Sequence, residues 1–128
     1  MEDKYLAGLF DGEGCVQIFK TTYLKKGKKR PYTFNVIRME LSMTDEETVK
    51  RFHEATGYGT VRLIHKNQEP GSKPHYKDQW RWRSSHRQCF ELAKRLVPYA
   101  YTKRKLLQKI IDHYTKEDHA KDGSKRED

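Results

Sequence analysis

The spacing of apolar residues along the chain predicts four helices and four strands, in the order α-β-β-α-β-β-α-α. Apolar positions three to four residues apart, typical of amphipathic helices, occur over residues 4–11, 44–56, 85–97 and 102–114. Alternating apolar and polar positions, typical of half-buried strands, occur over residues 15–19, 33–43, 60–64 and 80–84. The basic, glycine-containing segment 24–31 joins the first two strands into a long hairpin.

Residues that start or stop helices mark the expected boundaries. Two capping boxes, each a hydroxyl residue followed three positions later by Glu or Gln, begin the second and third helices. Glycines and Pro98 end the first three. The positions are Gly12 and Gly14; Thr44 with Glu47; Gly57 and Gly59; Ser85 with Gln88; and Pro98. A Gly/Pro/Lys-rich loop is expected over residues 65–78.

These elements predict an α+β domain in which one four-stranded antiparallel sheet carries its helices on one face. In the fourth strand Trp80 and Trp82 alternate with arginines, so we expect the tryptophans in the core. We expect a single domain over residues 1–115. Residues 116–128 lack apolar periodicity, which predicts a charged, flexible tail.

Composition adds a strong positive charge to this picture. The 128 residues carry a net charge of +9, with +11 on residues 1–111 and −2 on residues 112–128. Such a body favours a polyanionic partner, with nucleic acid first and an anionic membrane surface second. No apolar run has the length of a membrane helix, and no signal peptide is recognisable. We expect a soluble, intracellular protein.

Cysteine and histidine chemistry is disfavoured. Cys15 and Cys89 are far apart in sequence, which argues against a disulfide framework or a structural zinc site. The six histidines, at positions 53, 65, 75, 86, 113 and 119, show no metal-ligand spacing. The sequence also contains no phosphate-binding glycine loop and no nucleophile triad motif.

The segment Leu6–Gly14, which reads Leu-Ala-Gly-Leu-Phe-Asp-Gly-Glu-Gly, resembles the motif of the LAGLIDADG homing endonucleases. Six of its nine positions are identical, and Phe10, Gly12 and Glu13 are conservative replacements. The order of elements over residues 4–114 also matches the family domain. The resemblance implies a metal-dependent enzyme that cuts both strands of a long, roughly palindromic DNA site and serves intron or intein mobility.

The motif has a physical rationale. Ala7 and Gly8 have almost no side chain, so two such helices can pack closely and bring their ends together. One carboxylate from each chain, Glu13, would then lie near a shared axis and bind Mg²⁺ or Mn²⁺ through oxygen. Because one chain has one motif, the resemblance implies a homodimer. The expected interface residues are Leu6, Ala7, Gly8, Leu9 and Phe10.

The resemblance assigns roles to further residues. The carbonyl of Gly12 is a second expected metal ligand, and Lys103, after Pro98, is the expected catalytic lysine; its alternative is a solvated surface cation. Asp11 is acidic in the family and usually structural, although a metal role stays open. Met43 occupies a position that is often polar in the family, and this departure weakens the expected water network.

Candidate DNA contacts come from the polar face of the sheet and from the hairpin tip, with surface solubility as the alternative for each. Arginine pairs well with guanine and glutamine with adenine, whereas tip lysines suit phosphates. The sheet candidates are Gln17, Phe19, Thr21, Arg38, Glu40, Ser42, Arg62, Arg81 and Arg83. The tip candidates are Lys25, Lys26, Lys28, Lys29 and Arg30.

Three functions compete at this stage. The first is the homodimeric DNA endonuclease. The second is a catalytically inactive DNA- or RNA-binding relative, comparable to a maturase, which Met43 favours. The third is a protein-interaction module whose charge serves only solubility. No small-molecule substrate is expected.

Overall fold

Four helices and four strands follow one another in the predicted order, in a computed structural model that describes residues 1–68, 71, 73 and 77–126. The elements are α1 (Asp3–Glu13), β1 (Gly14–Tyr23), β2 (Tyr32–Met43), α2 (Glu46–Thr56), β3 (Thr60–Ile64), β4 (Gln79–Ser85), α3 (Arg87–Leu96) and α4 (Arg104–Arg126). Much of the predicted loop 65–78, including His75, and the last two residues lie outside the described residues. The α+β class is confirmed.

The four strands form one antiparallel sheet in the order β1-β2-β4-β3. Along β2 the predicted alternation is confirmed, because Ile37, Met39 and Leu41 are fully buried beneath the helices. None of the described helices covers the opposite face of the sheet, which is called the free face below.

The core between sheet and helices is built on three aromatic rings. Trp82 is fully buried, as predicted, and its ring meets Phe52 edge to face at 4.8 Å. Phe10 of α1 lies 6.5 Å from both rings. Trp80 is only half-buried, and the Lys50 ammonium lies 5.0 Å from its ring centre. These contacts fix α1 and α2 on the sheet.

The prediction of both capping boxes is wrong. Asp45, not Thr44, caps α2, and its carboxylate accepts the backbone N–H of Glu47. His86, at φ 56°, precedes α3 and makes no side-chain cap. Gln88 instead accepts from Ser84 Oγ at 3.0 Å and from the backbone N–H of Gly59 at 3.1 Å, which joins α3 to β4 and to the turn before β3.

Helix α4 is much longer than its apolar spacing predicts. Up to residue 120 its last buried side chain is Tyr114, but the helix continues to Arg126. The Arg87 guanidinium lies over the Tyr114 ring and pairs with Asp118 at 2.6 Å, so polar contacts hold the next turn against α3. The expected helix end at residue 114 is therefore wrong. Within the part of the chain that is described, no helix has the length and apolarity needed to cross a membrane.

Candidate active site and nucleic-acid interface

Helix α1 continues through Gly12 and ends at Glu13, two residues later than predicted. The next residue, Gly14, is extended and donates its backbone N–H to the carbonyl of Phe10. A Cβ on Gly14 would collide with the Phe10 ring. Glycine is therefore required where the helix passes directly into β1, and this junction places Glu13 at the end of the sheet.

The Glu13 side chain is exposed, and no hydrogen bond or ion pair engages it among the described residues. Gly12 beside it is also exposed, and a Cβ there would meet nothing within 4 Å. No group of three His, Cys, Asp or Glu side chains able to hold a metal occurs in the described part of the chain. One chain thus offers a single open carboxylate rather than a complete metal site.

Asp11 is occupied by backbone contacts. Its carboxylate accepts the backbone N–H of Tyr101 at 2.7 Å and that of Lys103 at 3.0 Å. In return, Lys103 Nζ donates to the Asp11 carbonyl oxygen at 3.2 Å. These three bonds, called the Asp11 clamp below, hold Lys103 at the carboxyl end of α1. The metal role left open for Asp11 is disfavoured, because both carboxylate oxygens already accept a hydrogen bond.

The two faces of α1 correct the expected dimer interface. Leu6, Ala7 and Phe10 are buried in the chain's own core, so their side chains are unavailable to a second chain. Of the five expected residues, Gly8 and Leu9 lie on the outer face of the helix together with Tyr5 and Gly12, and these four are called the glycine stripe below. A Cβ at Gly8 would meet nothing within 4 Å. Apolar spacing could not separate these faces, because the motif is apolar all round.

Met43 ends β2 on the helix side of the sheet and packs against the core. Its neighbour Ser42 faces the opposite way and accepts from Arg81 Nε at 3.3 Å. The position that the resemblance marks as polar is therefore apolar in its surroundings as well as in its side chain.

The register places every sheet residue predicted to contact DNA on the free face. Direct partners across the strands share a face of the sheet. The cross-strand pairs are Gln17 with Arg38, Arg38 with Ser85, Glu40 with Arg83, Ser42 with Arg81, Arg83 with Thr60, and Arg81 with Arg62. Phe19 and Thr21 continue the same face along β1. Four arginines and one glutamate make this face cationic.

Polar contacts hold most of these arginines in place. Arg38 donates to Gln17 Oε1 at 3.2 Å, and Arg83 Nη2 lies 2.7 Å from Glu40 Oε1 as an ion pair rather than a well-aligned hydrogen bond. The Nε atoms of Arg38 and Arg83 are buried without a hydrogen-bond partner. Near β3, Arg62, Arg81 and Arg83 line a depression of about 170 Å³. The face therefore presents positioned donors.

The far end of the free face is aromatic, which the sequence analysis missed except at Phe19. Tyr23, Tyr32 and Phe34 lie on this face together with Phe19, because β1 continues to Tyr23, four residues beyond its predicted end, and pairs there with the start of β2. Beyond them, Gly27 adopts φ 89° in the turn that carries the predicted tip cations, all exposed: Lys25, Lys26, Lys28, Lys29 and Arg30.

Comparison with known proteins identifies the fold. No protein-family model and no curated protein matches the sequence. Among solved structures, the homing endonuclease I-CvuI in complex with its target has a TM-score of 0.66 at 17% identity, covering 95% of this chain and 71% of that one. I-CvuI with the I-CreI target and Mg, the DNA not cleaved, has a TM-score of 0.62 at 18% identity, covering 84% and 64%.

The LAGLIDADG meganuclease I-CpaMI bound to uncleaved DNA has a TM-score of 0.64 at 18% identity, covering 93% of this chain and 38% of that one. The chain thus spans between about two fifths and about seven tenths of these proteins. It has the fold of the LAGLIDADG homing endonucleases, as its motif predicts.

Proposed function

We propose that this chain is a site-specific, double-strand DNA endonuclease that acts as a homodimer. The observation that carries the proposal is the end of α1. There Glu13, exposed and unpaired among the described residues, lies directly before β1, and the Asp11 clamp holds Lys103 at the same helix end. The I-CvuI and I-CpaMI structures compared above contain DNA, which supports the same class of partner.

The residues present fit a divalent cation, Mg²⁺ or Mn²⁺, only if two chains contribute. Glu13 would supply a carboxylate oxygen and Gly12 a carbonyl oxygen, both ligands that hard cations prefer. Such a cation activates water and stabilises the leaving oxygen of a phosphodiester. I-CvuI was crystallised with Ca or Mg, which is consistent with this choice.

Lys103 provides a positive charge that does not depend on the cation. Its ammonium already donates to the Asp11 carbonyl, and it has further N–H groups to offer a phosphate oxygen or a water molecule. A positioned cation at developing negative charge lowers the barrier to phosphodiester cleavage. Asp11 is a positioning residue in this scheme, because it acts through Lys103.

The glycine stripe supports pairing of two α1 helices. Gly8 and Gly12 lie four residues apart and leave open space above the helix backbone. Close approach there would bring the two Glu13 carboxylates to one axis. A two-fold dimer would then read a roughly palindromic site, with one free face on each half. We propose that the protein acts inside the cell and that an intron or intein encodes it.

Met43 favours one alternative, a catalytically inactive DNA- or RNA-binding relative of the same fold. A thioether packed against the core cannot order a water molecule near the scissile phosphate. This alternative keeps the free face and its cations but predicts binding without cleavage.

The test is a selection on a randomised duplex DNA pool, with Mg²⁺ or Mn²⁺ and without either. Bound and cut molecules are sequenced separately. Wild-type protein should enrich a near-palindromic sequence and cut both of its strands. Glu13→Gln should bind the same sequence and cut at least a hundredfold more slowly, because the open carboxylate is lost. Glu54→Gln, which alters an exposed carboxylate on α2, should cut like wild type.

The possible outcomes distinguish the endonuclease from the inactive binder. Enrichment without cut ends would overturn the endonuclease and support the inactive binder. Preference for RNA over duplex DNA would do the same. Equal cutting by Glu13→Gln would remove Glu13 from the site, and failure to enrich any nucleic acid would overturn both proposals.

A further inference from the structure

Four exposed aromatic side chains cluster at the far end of the free face. Phe19, Tyr23, Tyr32 and Phe34, called the aromatic cluster below, are 46%, 50%, 53% and 39% exposed. Their cross-strand neighbours Thr21 and Val36 add methyl groups to the same surface. Exposed apolar patches of this kind on a soluble domain mark a surface that another molecule covers.

Three of the four rings, Tyr23, Tyr32 and Phe34, contact one another. Tyr23 and Tyr32 meet edge to face, with their centres 5.6 Å apart and their planes at 72°. Tyr32 and Phe34 lie 5.7 Å apart and tilted by 34°. These contacts cover part of the ring faces of Tyr23, Tyr32 and Phe34, and the methyl groups of Thr21 and Val36 lie beside them on the same face. Such a surface suits small apolar groups better than it suits stacked bases, which need an open ring face.

Cations flank the cluster on both sides and indicate the chemistry of its partner. Arg38 lies next to it along β2, and the exposed tip cations 25–30 lie beyond it. The covering molecule must therefore be polyanionic and must also carry apolar groups at the level of the sheet. On the major-groove edge of duplex DNA, the apolar group is the C5-methyl of thymine.

We propose that the aromatic cluster recognises thymine methyl groups in the outer part of each half-site. The inference rests on the proposed function and deepens it, since it names the bases that this end of the sheet requires. Strand residues rise by about 3.3 Å and base pairs by about 3.4 Å, so the two advance together. Phe19 and Tyr23 follow Gly14 by five and nine residues. The thymines should therefore lie about five to nine base pairs from the centre of the site.

The arginine end and the aromatic end of the free face would thus recognise different groups on the DNA. Arg38, Arg81 and Arg83 present hydrogen-bond donors near the centre of the site, where guanine and other acceptors can be read. The aromatic cluster makes no such demand and discriminates through a methyl group. A uracil in place of thymine removes this group and leaves every hydrogen-bonding atom unchanged, which makes the inference directly testable.

The experiment measures the Kd of the duplex recovered from the randomised thymine-containing pool, in two substituted forms. One carries deoxyuridine at the outer thymines, about five to nine base pairs from the centre. The other carries it at thymines nearer the centre. We expect outer substitution to weaken binding about fourfold for each contacted methyl, and central substitution to have no such effect.

Variants tie the effect to the cluster. In Phe34→Ala and Tyr32→Ala the Kd ratio between the uracil and thymine duplexes should fall towards one. Leu63→Ala, which truncates an exposed apolar residue on the helix side of the sheet, should keep the wild-type ratio. All three positions are exposed, and thermal unfolding of each variant checks that the fold is intact.

Equal binding of the thymine and outer-uracil duplexes would overturn the inference while leaving the proposed endonuclease in place. So would tight, cluster-dependent binding of single strands, which would assign the rings to base stacking. If no duplex is recovered at all, the proposed function fails first and the inference fails with it.

Discussion

At the scale of single residues, the two motif acids have opposite surroundings. Asp11 accepts two backbone N–H groups from the turn before α4, whereas Glu13, two positions later, has no hydrogen-bond or ion-pair partner among the described residues. Local sequence gives no signal for this difference, because the partners of Asp11 are ninety residues away. Chemistry that needs an available carboxylate falls to Glu13, and Asp11 sets the position of Lys103.

Replacing Asp11 tests the clamp. Asp11→Ala removes the acceptor of two backbone donors, and we expect the free energy of unfolding to fall by about 1–3 kcal/mol. Urea denaturation measures the change. Asp112→Ala, which removes an exposed acceptor of Gln108 on α4, should change stability by less than about 0.5 kcal/mol. Similar losses in both variants would contradict the clamp.

The buried thiol of Cys89 gives a pH prediction. Burial raises its pKa from 9.0 to about 11. Between these two pH values the unfolded chain releases the thiol proton while the folded chain keeps it. The stability that the buried, protonated thiol contributes is therefore fully present below pH 9. As the pH rises towards 11, the free energy of unfolding falls by roughly 2–3 kcal/mol.

Unfolding measured from pH 8 to pH 11 checks this slope. Cys89→Ala should lose less stability than wild type over that interval, because the titrating group is gone. Cys15→Ala, at the exposed cysteine, should follow the wild-type curve. Burial raises the pKa of Tyr114 to about 12, and the negative charge of Cys89 adds to that shift, so Cys89→Ala also reduces the pH dependence that Tyr114 contributes. A Cys89→Ala curve parallel to wild type would contradict the prediction.

At the scale of elements, the buried faces of strands β2 and β4 were predicted better than the buried face of helix α1. Alternation in β2 and β4 assigned Ile37, Met39, Leu41 and Trp82 to the core and the intervening residues to the free face, because a strand has only two faces. Helix α1 defeats the same reasoning, since a motif that is apolar all round does not reveal its inner side. Helix α4 is longer than its stripe of apolar residues because polar contacts, such as the Arg87–Asp118 ion pair, stabilise the turns beyond that stripe.

Gly8→Ala separates the two environments of α1. In an isolated chain the new methyl meets nothing within 4 Å, and alanine favours the helix interior by about 1 kcal/mol over glycine. The monomer should therefore become more stable. Two helices packed along the glycine stripe would be forced apart, so the dimer should become weaker.

Thermal unfolding and sedimentation at low and high protein concentration measure both effects. The melting temperature of Gly8→Ala should exceed that of wild type where both are monomeric and fall below it where wild type is dimeric. A variant that dimerises as tightly as wild type would exclude close pairing through Gly8.

At the scale of the whole molecule, part of the positive charge excess of residues 1–111 is concentrated on one side of the sheet. The arginines of the free face and the cations of the hairpin tip lie around one open surface, while the helices cover the other side of the sheet. The excess of Lys and Arg predicted a polyanionic partner, and the alternation of apolar and polar residues along the strands predicted the free face. The aromatic cluster escaped prediction because the predicted first strand ends at residue 19, whereas β1 continues to Tyr23, and because apolar residues alternate over 32–36 in the opposite phase from residues 37–43.

The salt dependence of DNA binding tests whether this surface is the one that meets phosphates. Each phosphate neutralised contributes about 0.9 to the slope of log K against log salt. Replacing Lys25, Lys26 and Lys28 by Gln should lower that slope by up to about 2.7, if all three contact phosphates. Replacing three exposed lysines of α4 by Gln, at positions 105, 109 and 116, changes the net charge equally but on the helix side of the sheet. That control should lower affinity slightly at low salt and leave the slope near its wild-type value. Equal reductions in both triple variants would mean that net charge, rather than the hairpin tip, holds the duplex.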